Sequence, residues 1–159
     1  MKGTSMKTNR RKLLSGGASA LILAALSRPA MASPTRMIVH KDPNCGCCHL
    51  WAEAMKSAGF DVRPDDAADL APIKARLGVP ADLEGCHTAV VDGYFVEGHV
   101  PLSSVRRLLE ERPAIKGLAV PGMPAGSLGM GDDPGASYDV VAVPAVGMPY
   151  LFEAVRPKT

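Results

Sequence analysis

Three cysteines fall within four residues of this chain, in Cys45-Gly46-Cys47-Cys48-His49, and they stand where one kind of sequence gives way to another. Before them runs Arg36-Met37-Ile38-Val39-His40, a short β-branched stretch that reads as a buried strand. After them Leu50, Trp51, Ala54, Met55 and Ala58 recur at spacings of three and four, the period of an amphipathic helix, and Gly59 stops it. Asn44 is placed to cap that helix, which is expected over 45–58. A helix N-terminus favours anions, so thiols here lose their protons easily and become better nucleophiles and better soft-metal ligands. Three neighbouring thiolates repel one another unless cations sit between them, and soft thiolates select Cu(I), zinc or iron–sulfur clusters. Cys45 and Cys48 also have the C-x-x-C spacing of disulfide oxidoreductases. A bridge between the neighbours Cys47 and Cys48 is strained. With Cys86 the chain has four cysteines, which in an exported protein allow three disulfide pairings. Metal site, redox dithiol and disulfide framework all stand open on these residues.

The rest of the chain places the cluster in a fold. Phe60–Arg63 reads as a second strand, and Asp65 or Asp66 as the cap of a second helix through Leu70, Ile73, Ala75 and Leu77, stopped by Gly78 and Pro80. Thr88–Val91 and Tyr94–Glu97 flank Asp92-Gly93, a strong hairpin signal. A third helix is expected from Leu102 to Glu111, ended by Pro113. Residues 113–137 are rich in Gly and Pro and read as irregular, carrying Met123 and Met130. Tyr138–Val143 and Pro149–Val155 form a closing pair of strands, expected to cover that segment. The order β-α-β-α-β-β-α is that of a thioredoxin-like α/β (α+β) domain, a mixed sheet flanked by helices. In that layout the loop holding Cys86-His87 faces the start of the first helix.

Charge is unevenly spread. Residues 1–32 hold six basic side chains (Lys2, Lys7, Arg10, Arg11, Lys12, Arg28) and no acid. That leaves twelve basic against sixteen acidic residues in the remainder. Arg10-Arg11-Lys12, the uncharged run Leu13–Leu26 and the small-residue site Ala30-Met31-Ala32 make the three-part pattern of an export signal, twin-arginine-like, with a mature domain at 33–159. The apolar run is short for a membrane span. Such a signal implies a bacterial periplasm, an oxidising compartment. The acidic body and 4% aromatic content argue against nucleic acid as a partner.

Candidate metal ligands beyond the first cluster are Cys86, His87 and His99. Met123, in its Gly/Pro loop, offers a thioether suited to Cu(I) and a lid over the cluster. Thiolates carry all the negative charge such ions need, so neutral imidazole and thioether donors complete the coordination. His49 reads as cover for the cluster and His40 as structural. Glu53, Glu84 and Glu97 show no pairing that suggests acid–base catalysis, and no catalytic residue is assigned. Walker loops, G-x-S-x-G and H-E-x-x-H are absent from the sequence.

His40-Lys41-Asp42-Pro43-Asn44-Cys45-Gly46-Cys47-Cys48 with Trp51 resembles the opening motif of the CopG-like family. Cys86-His87-Thr88-Ala89, Gly93-Tyr94, Glu97-Gly98-His99-Val100-Pro101 and Gly117-Leu118-Ala119-Val120-Pro121-Gly122-Met123-Pro124 continue the resemblance, which spans nearly all of Met37 to Phe152. It implies a thioredoxin-like periplasmic protein of copper resistance, with a cysteine-bridged copper cluster and copper redox chemistry. It carries ligand roles onto Cys45, Cys47, Cys48, Cys86, His87 and His99. The thioredoxin cis-proline has no counterpart, because Cys86-His87 holds its place. The expected function is sequestration or handling of Cu(I), with other periplasmic copper-handling proteins as partners. The alternative is a thiol-disulfide or copper oxidoreductase that uses Cys45 and Cys48.

Overall fold

A computed structural model describes residues 1–3 and 33–157, so the export-signal reading lies outside the described residues. From Arg36 onward the chain builds one seven-stranded mixed sheet, in the order β2-β1-β3-β4-β5-β6-β7. Strand β1 (Arg36–Lys41) runs through helix α1 (Gly46–Ser57) into β2 (Asp61–Asp66), which lies parallel to it. Helix α2 (Ala71–Leu77) and a 3-10 turn at Ala81–Leu83 lead to the hairpin of β3 (His87–Val91) and β4 (Tyr94–Glu97). Asp92 and Gly93 both take positive φ at its turn, as a two-residue hairpin loop requires. Helix α3 (Leu102–Glu111) crosses over to β5 (Ile115–Ala119), parallel to β4. Two antiparallel strands, β6 (Tyr138–Pro144) and β7 (Tyr150–Val155), follow at the sheet's edge. None of the described helices is long and apolar enough to cross a membrane.

Strand alternation sorts the core into two layers. Met37, Val39, Ala89, Val91, Val96, Leu118, Val140 and Ala142 pack with Trp51 and Met55 of α1 and Val105 and Leu108 of α3. The next residues along the strands, Phe95, Ala119 and Val143, pack instead with Leu77 at the end of α2, Val79 just after it and Leu83 of the 3-10 turn. The fold is therefore a mixed α/β sheet with apolar packing on both faces.

Several sequence expectations are corrected. Asp65 and Asp66 do not cap a helix; they are the last residues of β2, opposite His40 and Lys41. His40 Nδ1 lies 2.7 Å from Asp65 Oδ2, and Lys41 Nζ donates to Asp66 Oδ1 at 2.8 Å. Cross-strand pairing thus holds both carboxylates in the sheet. Helix α2 starts later, with Leu70 in the cap position, Pro72 in its first turn, and the Ala71 amide donating to Asp69 Oδ1 at 3.0 Å. The segment read as irregular contains β5. The final strands extend the sheet beyond β5.

Gly117 hid β5, because a glycine in a short strand weakens the pattern. Here it is required: a Cβ at Gly117 would stand 2.1 Å from the Phe95 carbonyl oxygen and 2.5 Å from its ring. Gly117→Ala is therefore expected to cost about 1–3 kcal/mol by overpacking, seen as a fall of several degrees in Tm by calorimetry. Gly46→Ala, where a Cβ meets nothing within 4 Å, should leave Tm unchanged or raise it.

Candidate metal centre

The site begins with how α1 starts. Cys45, not Asn44, is the N-cap, and its Sγ accepts the Cys48 amide at 3.3 Å. Asn44 instead donates its amide to Asp42 Oδ1 at 2.7 Å, and the Cys45 amide reaches the Asp42 carbonyl at 3.1 Å. One turn of helix therefore brings the first three sulfurs together. Cys45 and Cys48 are joined in a disulfide with Cα atoms 5.3 Å apart. Cys47 is a free thiol whose Sγ lies 3.6 Å from Cys45 Sγ.

The other free thiol arrives from the far side of the sequence. Cys86 immediately precedes β3, whose first residue His87 pairs with Lys41 at the site end of β1. Cys86 Sγ lies 4.0 Å from Cys47 Sγ, 2.9 Å from His99 Nε2 and 3.4 Å from His87 Nδ1. Cys86 thereby belongs to two donor groups. One is Cys45, Cys47, Cys48 and Cys86; the other is Cys86, His87 and His99; within each, the ligand atoms lie within 4.8 Å of one another.

The backbone comes unusually close to allow this. A Cβ at Gly85 would stand 2.6 Å from Gly98 Cα, and one at Gly98, where φ is +69°, would stand 2.4 Å from the Val120 carbonyl oxygen. Only glycines fit there, and they bring the residues after them, Cys86 and His99, face to face.

His99 is fully buried and oriented from behind. Its Nδ1 donates to the Leu128 carbonyl at 2.7 Å, which leaves the Nε2 lone pair directed at Cys86. Burial lowers its pKa against the opposing effect of that carbonyl. His87 packs its ring 4.6 Å from Trp51 and 5.2 Å from His99. Burial, then the neighbouring His99 and Lys74, push its pKa down to about 3, so the imidazole is neutral at ordinary pH. Its Nε2 is the one fully buried side-chain nitrogen or oxygen without a hydrogen-bond partner among the described residues. Burial and the adjacent Cys47 push the Cys86 thiol up to about 12.

The Gly/Pro segment reaches this site. A Cβ at Gly129 would stand 2.8 Å from the Cys47 carbonyl oxygen and 3.0 Å from the Trp51 nitrogen, so the segment lies directly on the first turns of α1. Gly122 bridges to Gly85 and donates its amide to the Glu84 carbonyl at 3.2 Å, tying the loop to the Cys86 turn. Met123 follows Gly122 and is 55% exposed. His49 points to solvent. His40 belongs to the β1–β2 pairing described above.

One part of the surroundings escaped the sequence. Glu97 is fully buried and ion-pairs with Lys74, itself almost fully buried. The same carboxylate accepts the Gly85 amide at 2.6 Å and the Thr88 hydroxyl at 2.6 Å. Lys74 Nζ also donates to the Gly85 carbonyl at 3.1 Å and to Thr88 Oγ1 at 3.2 Å. Burial raises the carboxyl's pKa, and its donors, Lys74 first, oppose that rise. The available signal was Lys74 itself, four residues after Leu70 and three before Leu77, on the apolar stripe of α2.

Two solved structures, named copper resistance protein CopG form 1 and form 2, are each 42% identical to this chain, with TM-scores of 0.72 and 0.71. The alignments cover 79% and 77% of this chain, and 99% and 98% of theirs. The chain belongs to the CopG family. A family model described as "Protein of unknown function, DUF411" matches residues 83–130, the stretch that holds Cys86, His87, His99 and Met123. No curated protein matches the chain. CopG-family membership and the four-cysteine cluster together fit a copper-related role.

A pH prediction follows from His87. Its folded pKa lies far below the ordinary value of 6.5, so unfolding takes up a proton between about pH 6.5 and 3. The stability of the metal-free protein should therefore be undiminished by this group above pH 6.5. It should fall below that by about 1.4 kcal/mol per pH unit from this group alone. His87→Leu should flatten the acid limb of a plot of Tm against pH; an unchanged limb would place the proton uptake elsewhere.

Proposed function

We propose that this CopG-family protein takes up Cu(I) as its cargo, sequestering or handling it for copper resistance in the periplasm. The observation that carries the reading is Cys86, one sulfur shared between a group of four sulfurs and a group with two imidazoles. The donor set fits the ion. Thiolates are soft, the imidazoles are neutral, and His87 turns its Nδ1 to Cys86 Sγ at 3.4 Å, as His99 turns its Nε2. Two donor groups with a common sulfur suit a multinuclear cluster, with Cys45, Cys47, Cys48, Cys86, His87 and His99 as ligands. Met123, on the loop tied to the Cys86 turn through Gly122, is proposed as a further thioether donor. The order β2-β1-β3-β4 with a following helix supports a thioredoxin-like domain over 33–159. The name of the solved relatives supports copper as the ion, and the exchange of that ion with other periplasmic copper-handling proteins is part of the same proposal.

Cys45 and Cys48 must be reduced before they serve as thiolates. Reduced protein is expected to hold more Cu(I) than protein with the Cys45–Cys48 bridge intact, measured by competition with a Cu(I) chelator under anaerobic conditions. Changing Cys45, Cys47 and Cys48 together to Ser should abolish the tight sites. An unchanged stoichiometry in that variant would sink the reading. Saturation at a thousand times the dissociation constant should add about 4 kcal/mol to stability.

The disulfide favours a second reading, a thiol-disulfide or copper oxidoreductase using Cys45 and Cys48 at the anion-favouring start of α1. Purified protein that holds no copper but shows a reversible two-electron thiol couple would select it.

Residues 1–32 are proposed as a twin-arginine export signal. Replacing Arg10 and Arg11 with Lys should leave uncleaved precursor in the cytoplasm, detected by fractionation. Normal export of that variant would reduce the segment to an ordinary secretory signal.

A further inference from the structure

Lys74 and Glu97 touch none of the six donor side chains through a hydrogen bond of their own, yet they grip the turn that carries two of them. We propose that this buried ion pair is the positioning device of the metal centre, clamping Gly85 and Thr88 so that Cys86 is presented to both donor groups at once. The inference rests on the metal-binding reading above and names the residues that set the geometry of that site.

The contacts bracket the turn on both sides. Before Cys86, the Gly85 amide donates to Glu97 Oε1 and the Gly85 carbonyl accepts from Lys74 Nζ, so both polar groups of that residue are occupied. After His87, Thr88 Oγ1 accepts from Lys74 and donates to the second carboxylate oxygen. Four hydrogen bonds from one ion pair thus fix the residues on either side of Cys86-His87. The pair also joins three elements: Lys74 comes from α2, Thr88 from β3 and Glu97 from the end of β4, two residues before His99. Cys86 Sγ stands 4.0 Å from Cys47 and 2.9 Å from His99 Nε2, so the placement of this turn sets its distance to both donor groups. Stability alone does not ask for two charges here, since apolar residues of similar volume often replace a buried pair without loss. A positioning role does ask for the hydrogen bonds.

The test separates charge, hydrogen bonding and fold. Lys74→Met with Glu97→Leu removes the clamp while filling its space. Lys74→Met with Glu97→Gln removes the charges but keeps an acceptor for the Gly85 amide and a donor for Thr88 Oγ1. The first readout needs no metal. In a Cys47→Ser background with the Cys45–Cys48 disulfide intact, Cys86 is the only thiol, and its alkylation is followed by mass spectrometry. The Leu variant should react on the order of ten-fold faster, since exposure and thiolate character govern thiol reactivity, and the Gln variant should return toward the parent rate. The second readout is Cu(I) competition in the reduced protein with all four cysteines. The Leu variant should lose at least about ten-fold in affinity, the usual cost of losing a group that orients a ligand, and the Gln variant should recover most of it. Both variants must retain a cooperative thermal transition, and a Leu variant that fails to fold leaves the comparison of the Gln variant with the parent to decide. Parent-like alkylation and Cu(I) affinity in the Leu variant, or equal losses in the Leu and Gln variants, would overturn the positioning role. A parent protein that binds no Cu(I) would instead overturn the metal-binding reading, and the alkylation rates would still decide whether the pair holds Cys86.

Discussion

Glu97 and Lys74 lie where water hardly reaches, and each would cost several kcal/mol to bury alone. Their partners offset that cost only as a set: the ammonium, the hydroxyl of Thr88 and the amide and carbonyl of Gly85 each satisfy a charge or dipole otherwise stranded in the interior. The chain therefore has one low-energy way to bring α2, β3 and β4 together at this end of the sheet. The rest of the site inherits its geometry from that choice. Gly85 against Gly98, Cys86 against His99, and His87 against Trp51 each include a residue within two positions of a group in this junction.

Around it, the protein combines two kinds of donor support. Cys45, Cys47 and Cys48 are held by a single helical turn, and Cys45 doubles as the group that satisfies one of that turn's free amides. The imidazoles are held by packing and by a backbone carbonyl of the Gly/Pro segment. Cys86, between these two environments, faces the Cys47 thiol and the Cys45–Cys48 bridge on the sulfur side and neutral imidazole nitrogen as well. Copper-related chemistry in this family is compatible with that asymmetry, because soft and borderline donors are within reach of the same sulfur.

The sequence made the strand, thiol turn and helix of the first third legible because each has a short-range signal: β-branching, a thiol cluster and a three-four apolar period. It also flagged Cys86 and His87, because the expected layout turns their loop toward the start of the first helix, and His99, through the motif Gly98-His99-Val100-Pro101. The start of α2 was misread because Asp65 and Asp66 look like caps in isolation, while in space they face His40 and Lys41 across a parallel strand pair. Strand β5 was missed because Gly117, which reads as a breaker, is what lets β5 lie against Phe95. Lys74 on the apolar stripe of α2 hints at a buried charge, but its partner Glu97 is 23 residues away and obeys no local period, so only the fold reveals the pair.

The donors are split between near and far in the chain, and that division sets an order of events during folding. Cys45 and Cys48 are separated by three residues, so they can meet in a chain that has no tertiary structure. Cys47 and Cys86 are 39 residues apart and meet only when β3 has docked beside β1. Closing a ten-residue loop takes about 10–100 ns, whereas non-local sheet pairing belongs to the slow part of folding. An unfolded chain therefore offers a local thiol cluster that is ready for oxidation or loose metal capture, while the complete donor set exists only in the native state. The glycine-lined meeting of Gly85 and Gly98 is thus a gate in time as well as in space: until that backbone contact closes, Cys86 has no imidazole to face.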